Sequence, residues 1–142
     1  MAGSLDDVSN ISTNQEDDMS TYDNTAHAYI TAWNARDATE RKEAVAAVFA
    51  PDATYVDPLA DVSGRDAITE LIGGAQQQFA GWTFRLVGPV DGHHAQARFT
   101  WALGPDGAEG EAPVLGFDVV TLDGAGLITS VLGFLDRVPA VA

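Results

Sequence analysis

The stretch Phe49-Ala50-Pro51-Asp52-Ala53-Thr54-Tyr55-Val56-Asp57-Pro58, followed by Gly64-Arg65-Asp66-Ala67-Ile68, decides the fold. It predicts the end of a helix, a stop at Pro51, a short strand carrying Asp57 before a second proline, and a helix that begins after Gly64. The other elements can be placed around this strand.

Two helices are predicted before this strand. Ser20-Thr21-Tyr22-Asp23 resembles a capping box with Asp in place of Glu, and apolar residues then recur at helical spacing to about residue 35. Asp37-Ala38-Thr39-Glu40 repeats the cap signal and opens a second helix that Pro51 should end. We expect the two helices to pack as a hairpin. A third helix should follow Gly64, weakened by Gly73-Gly74.

From Trp82 onward the apolar period becomes two. Four strands are predicted, Trp82–Val90, His94–Leu103, Pro113–Leu122 and Leu127–Asp136, with turn-type sequences such as Asp91-Gly92 between them. Helices followed by a meander indicate an α+β fold in which a curved antiparallel sheet wraps over the helices.

Composition restricts the class of protein. The chain has 142 residues, no cysteine, seven Lys and Arg, and a formal net charge of −14. Such a charge argues against nucleic acid and anionic membrane surfaces as partners, and thiol chemistry is excluded. No apolar run approaches membrane-spanning length and the N-terminus is acidic, so we expect a cytoplasmic protein. Residues 1–19 are expected to be a disordered acidic tail before a single domain at 20–139.

Asp118 is the first candidate for chemistry. Strand alternation places it on one face with Val114, Gly116 and Val120. A carboxylate there is unfavourable unless it is hydrogen-bonded, paired or kept neutral by a raised pKa. The alternative is that this face points outward, to solvent or a dimer interface.

Asp57 and Tyr29 are the other two candidates, and each has a simpler interpretation. Asp57 precedes Pro58, a common start of a turn. Tyr29 shares a helical face with Ala26 and Trp33, where a tyrosine usually fills the core.

No metal site is predicted. His93 and His94 are adjacent on a strand and point to opposite faces, while His27 lies on another face of the first helix from Tyr29. The aromatic residues of the strands are most simply core or pocket wall.

Taken together, the candidates lie in a pattern that resembles a known family. These runs carry the pattern: Tyr29-Ile30-Thr31-Ala32-Trp33-Asn34, 49–58, Gly64-Arg65, Gly88-Pro89-Val90, and Phe117-Asp118-Val119-Val120 with Gly126-Leu127-Ile128. Together they look like bacterial ketosteroid isomerase. More broadly, they resemble the cone-shaped nuclear-transport-factor-two-like superfamily, with its SnoaL-like polyketide cyclases and limonene epoxide hydrolase. The resemblance covers roughly residues 21–138 and implies three N-terminal helices packed on a strongly curved, mixed, mainly antiparallel sheet, and a homodimer through the outer sheet face.

The resemblance also implies catalytic roles. By position, Asp57 matches the isomerase's general base, Tyr29 its oxyanion-hole tyrosine, and Asp118 the second, protonated acid of that hole. The chain departs from the isomerase at Phe49 and near Ile72, where tyrosines that support the catalytic one are expected.

The other enzymes of the superfamily match less well. Epoxide hydrolase uses Asp–Arg–Asp; Arg98 could stand for the arginine, but Thr100 and Gly133 occupy the two carboxylate positions. The SnoaL-like cyclases place their acid on the last strand, again nearest Gly133.

The sequence thus predicts a cofactor-free acid/base enzyme that moves a proton alpha to a carbonyl in a small hydrophobic, steroid- or polyketide-like compound. A non-catalytic binding protein of the same fold is the alternative, and an assembly partner acting through its acidic tail is a third. Besides the catalytic residues, the pocket is expected to be lined by Trp33, Tyr55, Trp82, Phe84, Phe99, Trp101, Val114, Gly116 and Val131.

Overall fold

The computed structural model describes residues 20–139. Its elements are helices α1 (Thr21–Asn34), α2 (Ala38–Val48) and α3 (Arg65–Gln78), and strands β1 (Phe49–Asp57), β2 (Ala60–Ser63), β3 (Trp82–His93), β4 (Gln96–Pro105), β5 (Val114–Leu122) and β6 (Ile128–Arg137). The expected tail at residues 1–19 lies outside the described part of the chain. No helix within residues 20–139 is long and apolar enough to cross a membrane.

The six strands form one sheet in the order β2-β1-β6-β5-β4-β3. The pair β1–β6 is parallel and the other four pairs are antiparallel. Three helices on a curved, mixed, mainly antiparallel sheet confirm the predicted fold class. The core lies between the helices and the inner face of the sheet, where alternate residues of β4 and β5 are buried.

Both predicted helix caps are present. Ser20 and Asp23 form the reciprocal capping box of α1, and the side chain of Asp37 accepts a hydrogen bond from the backbone of Glu40 at the start of α2. At the other end of α1, Asn34 exchanges two hydrogen bonds of 2.8 Å with the backbone of Phe84. These contacts hold α1, and with it Tyr29, against the sheet.

The start of α3 is held in the same way. Gly64 has φ of 91°, a conformation that favours glycine, and its N–H donates to the carbonyl of Ala53. Arg65 Nε donates to the carbonyl of Phe49 at 2.9 Å. Residues 49–53, at the start of β1, therefore fix one end of α3.

Pro51 does not end the second helix, contrary to the sequence prediction. The helix ends at Val48, and Pro51 lies inside β1, where the register with β6 shifts between Phe49 and Thr54. A proline has no N–H for the strand ladder, so it is tolerated where pairing is irregular. The residue before a proline also disfavours helical backbone, which is consistent with a helix that ends earlier.

The turn predicted at Asp91-Gly92 was also wrong. Strand β3 continues through both residues to His93, and the chain turns at His94, which has φ of 52°. Gly92 serves a different purpose, because a Cβ there would lie 2.4 Å from the ring of Tyr22. Strand β2 was not predicted; it pairs with β1 after the two-residue turn that follows Asp57.

Candidate functional site

A cavity of about 420 Å³ opens between the helices and the inner face of the sheet. Its walls are mainly apolar, and they come from α1, β1, α3 and the inner strands, with Leu135, Val138 and Pro139 closing one side. A volume of this size lies within the range of small-molecule sites in proteins, roughly 300–1,000 Å³.

Asp57 lies in the cavity wall at the end of β1. Its Oδ1 accepts hydrogen bonds from the backbone N–H groups of Leu59 and Ala60 at 2.8 and 2.9 Å, and its Oδ2 accepts from the Tyr55 hydroxyl at 2.6 Å. The turn interpretation of Asp57 therefore holds for one oxygen, while the other accepts from Tyr55, which also lines the cavity. Three donors fix the rotamer of this carboxyl group.

Asp118 lies on the inner face of β5 and is only 2% exposed, which rules out the outward orientation considered from the sequence. Its Oδ2 accepts a hydrogen bond from the Tyr29 hydroxyl at 2.9 Å and another from Trp101 Nε1 at 3.0 Å. Tyr29 and Trp101 line the cavity, but Asp118 does not. The carboxyl group thus lies behind two cavity-wall side chains and contacts both.

Burial raises the pKa of Asp118 to about 7, and the nearby charge of Asp57 adds to the rise. The hydrogen bonds from Tyr29 and Trp101 oppose it. Burial, followed by the charge of Asp118, also raises the pKa of Tyr29 well above its usual value. Near neutral pH the site therefore holds a carboxyl group in transition between its neutral and charged forms, next to a protonated phenol.

Two glycines make room for this arrangement. Gly116 lies opposite Trp101, and a Cβ there would come within 2.0 Å of the indole, so the glycine lets Trp101 cross the strand toward Asp118. A Cβ at Gly133 would lie 2.7 Å from Asp118 Oδ1 and 3.2 Å from the Cβ of Asp57. Gly133 is thus the point at which the two acidic residues approach each other.

Seven of the twelve residues expected around the pocket line the cavity: Tyr29, Trp33, Tyr55, Asp57, Phe84, Trp101 and Val114. The expected wall residues Phe99 and Val131 are instead core residues, 2% and 0% exposed. Gly116 is covered by Trp101, and Trp82 packs on Phe79 with ring centroids 5.2 Å apart. None of these four lines the cavity.

The sequence analysis missed the contribution of α3. Glu70, Leu71, Gly74, Ala75 and Gln78 line the cavity, followed by Phe79 just after the helix. Their spacing of three and four residues is the signal that marks one face of a helix. The same spacing marks a helix side that packs into the core, so it does not by itself identify a cavity wall.

Arg98 does not reach the site. It lies on the exposed face of β4 and pairs with Asp91 at 3.2 Å, with both side chains more than half exposed. Arg98 therefore cannot serve as the central arginine of an Asp–Arg–Asp arrangement like that of epoxide hydrolase. Within residues 20–139, no three His, Asp or Glu side chains cluster as metal ligands would.

Known proteins resemble the chain in sequence and in fold. It is 39% identical to the steroid Delta-isomerase of Nocardioides simplex over 93 residues, which are 64% of this chain and 73% of that one. The crystal structure of a SnoaL-like protein from Agrobacterium tumefaciens, provisionally assigned as an isomerase, superposes with a TM-score of 0.77 at 38% identity, covering 83% of this chain and 99% of that one.

A more distant structure, a provisional polyketide cyclase from Sinorhizobium meliloti, shares the fold with a TM-score of 0.61 at 19% identity, covering 83% of this chain and all of that one (100%). The family model of the SnoaL-like domain matches residues 26–131. The fold, the sequence relatives and this match agree, and the chain belongs to the SnoaL-like domain family.

Proposed function

We propose that this protein is a cofactor-free isomerase that moves a proton alpha to a carbonyl group in a small hydrophobic compound of steroid-like or polyketide-like character. The observation that carries the proposal is the placement of Asp57 and Tyr29 in the wall of one apolar cavity, with the buried Asp118 behind Tyr29. The 39% sequence identity to a steroid isomerase over 93 residues supports the same class of reaction.

Asp57 is the proposed general base. A carboxylate can accept about four hydrogen bonds, and the described residues supply three to Asp57. One lone pair on Oδ2 is left for a substrate proton. Asp57 takes the proton from the alpha carbon, the electron pair of the broken C–H bond forms a double bond to the carbonyl carbon, and the π pair of the carbonyl moves to the oxygen, which gives a dienolate. When the oxygen pair re-forms the carbonyl, the π pair of the original beta,gamma double bond takes the proton back from Asp57 at the gamma carbon. The double bond thereby shifts into conjugation, with no net gain or loss of protons or electrons.

Tyr29 is the proposed donor to the enolate oxygen, because Tyr29 lines the cavity and its hydroxyl contacts Asp118. A neutral Asp118 can turn its own proton toward the Tyr29 oxygen, which frees the phenol proton for the ligand. A charged Asp118 instead holds that proton. Asp118 therefore acts through Tyr29, as a positioning residue, and its neutral form is the active one.

A panel of carbonyl compounds tests the proposal. We expect the protein to isomerise a 5-ene-3-oxosteroid or a related beta,gamma-unsaturated ketone, followed by the ultraviolet absorbance of the conjugated product. Asp57→Ala should abolish that turnover. If the wild-type protein and Asp57→Ala were equally inert across the panel while a hydrophobic ketone still bound, the enzyme proposal would be abandoned.

A binding protein without turnover is the second candidate, and Phe49 is the observation that favours it. Its ring packs 5.9 Å from that of Tyr29, at the position where a supporting tyrosine is expected in the isomerase. A phenylalanine supplies no hydroxyl to the site. Binding in the absence of isomerisation by the wild-type protein would select this candidate.

A homodimer is proposed through the outer face of the sheet. Val56, Leu132 and Phe134 are large apolar side chains that are 38%, 46% and 58% exposed, and they lie on the paired strands β1 and β6. Phe117 and Val119 of β5 are the cross-strand partners of Phe134 and Leu132. A contiguous apolar patch of this kind is typical of a surface that another protein covers.

A further inference from the structure

Trp33 carries the one buried side-chain nitrogen or oxygen within residues 20–139 that has no hydrogen-bond partner, its indole Nε1. The residue is 7% exposed. An indole N–H can only donate, and a buried donor without an acceptor is unfavourable. A group of this kind needs an explanation in terms of what the site binds.

The surroundings of Trp33 are those of the proposed reaction site. Trp33 lines the cavity, and its ring lies 6.2 Å from that of Tyr29 and 5.7 Å from that of Tyr55. The backbone carbonyl of Trp33 accepts a hydrogen bond from Gln76 of α3, which holds this part of α1 in place. The Trp33 side chain also opposes the rise that burial causes in the pKa of Tyr29. The two groups do not have the geometry of a hydrogen bond, and Trp33 Nε1 remains without a partner.

The other tyrosine and tryptophan donors of the cavity wall are already engaged, and Gln78, the amide that also lines the cavity, is exposed near the end of α3. The Tyr55 hydroxyl donates to Asp57, and Trp101 Nε1 donates to Asp118. Asp118 itself, expected from the family resemblance to be the second donor to the substrate oxygen, does not line the cavity. A ligand oxygen next to Tyr29 would therefore find the Trp33 N–H as the unengaged donor.

We propose that Trp33 Nε1–H is the second hydrogen-bond donor to the ligand's oxygen, beside the Tyr29 hydroxyl. This inference rests on the proposed function, since it assumes that the cavity binds an oxygen-bearing hydrophobic ligand. It assigns the cavity a preference for a carbonyl or hydroxyl oxygen over an apolar group of the same shape.

Two matched probes test the inference, 2-acetylnaphthalene and 2-isopropylnaphthalene, which differ mainly in the carbonyl oxygen. The chain has three tryptophans, so a ¹⁵N–¹H spectrum of the intact protein shows three indole signals, which single Trp→Phe variants assign. We expect the Trp33 indole proton to move downfield with the ketone and not with the hydrocarbon. This measurement uses the wild-type protein and does not depend on how a variant folds.

Affinities supply the second measurement. Trp33→Phe should weaken the ketone about fivefold relative to the hydrocarbon, the effect of one hydrogen bond. Trp82→Phe is the matched control, since Trp82 does not line the cavity, and it should leave the ratio of affinities unchanged.

Different outcomes overturn the inference and the proposed function. Two results with both probes bound would refute the role of Trp33 and leave the proposed function standing. One is an equal movement of the Trp33 indole signal with the ketone and the hydrocarbon, which is expected if a bound water, and not the ligand, accepts from the indole. The other is an unchanged ratio of affinities in Trp33→Phe. If neither probe binds, the cavity is not a site for hydrophobic ligands and the proposed function fails together with this inference.

Discussion

Asp118 and Gly133 lie directly opposite each other on β5 and β6, and the missing side chain of Gly133 is the space that Asp118 Oδ1 occupies. The same space borders the Cβ of Asp57. A single glycine therefore allows two acidic residues to approach on the inner face of the sheet. It lies on the last strand, at the position where the cyclases of the family were expected to carry their acid.

Gly133→Ala should disturb both acids. The added Cβ would lie 2.7 Å from Asp118 Oδ1, so that we expect the free energy of unfolding to fall by about 1–3 kcal/mol, as overpacking does. Isomerase turnover should fall at least about tenfold, because a misplaced base or donor loses alignment. Chemical denaturation and steady-state kinetics measure the two effects. Gly124→Ala is the control, since a Cβ there meets nothing within 4 Å; equal behaviour of the two variants would contradict this account of Gly133.

Asp118 should make the stability depend on pH. Its pKa rises from 3.8 in the unfolded chain to about 7 in the folded protein, so the folded state binds the proton more tightly. The resulting stabilisation is complete below about pH 4 and is lost as the pH rises to about 7, amounting to at most about 4 kcal/mol.

Asp118→Asn isolates this effect, because an amide resembles the neutral carboxyl and does not ionise. Urea unfolding at pH 5 and pH 8 should show the variant gaining stability relative to the wild type at the higher pH. In the proposed mechanism, wild-type turnover should also fall as the pH rises through about 7. A constant difference in stability between the two proteins across this range would show that Asp118 titrates normally.

Gly74 should influence the size of the ligand. It lies in α3, lines the cavity, and a Cβ there would meet nothing within 4 Å, so protein packing does not require a glycine. Gly74→Ala should stabilise the helix by roughly 0.5–1 kcal/mol, and Gly74→Leu should weaken binding of the bulkier members of a ligand series.

Its neighbour Gly73 is the matched control. A Cβ at Gly73 would lie 3.2 Å from Arg41 Nη1, and Arg41 also donates to the carbonyls of Ala35 and Arg36. Gly73→Ala should therefore gain less stability than Gly74→Ala and leave ligand size preference unchanged. A preference for ligand size that changed as much in Gly73→Ala as in Gly74→Leu would refute the role given to Gly74.

Phe134 tests the proposed dimer. It is the most exposed aromatic side chain of the outer sheet patch, and a charge introduced there should prevent a second copy from packing on it. Sedimentation should find a dimer for the wild-type protein and a monomer for Phe134→Lys, with the same circular dichroism. A wild-type monomer at micromolar concentration would remove the dimer from the account. Ala47→Lys, which adds the same charge at an exposed position of α2, is the control and should leave the dimer intact.

Local patterns predicted most of the fold. The caps at Ser20 and Asp37 and the alternation around Asp118 are properties of neighbouring residues, and the structure has them as predicted. Pro51 was misplaced because a proline can end a helix or lie in an irregular strand, and only the pairing with β6 decides between the two.

The site was harder to predict because it depends on register between distant strands. Trp101 can reach Asp118 only because Gly116 lies opposite Trp101. The register between β4 and β5 sets this pairing. The unpartnered Nε1 of Trp33 is likewise visible only once all possible acceptors have positions. Sequence patterns identify which residues face inward, but not which inward residues meet.

The central claim is that Asp57 removes the substrate proton, and Asp57→Asn tests it most directly. The amide keeps the size of the carboxylate and can still accept from Leu59 and Ala60, but it is not a base. With a beta,gamma-unsaturated ketosteroid, we predict that kcat falls by about 10²–10⁴-fold while the Kd of the conjugated product changes little. Turnover by Asp57→Asn within a few-fold of the wild-type rate would contradict the account.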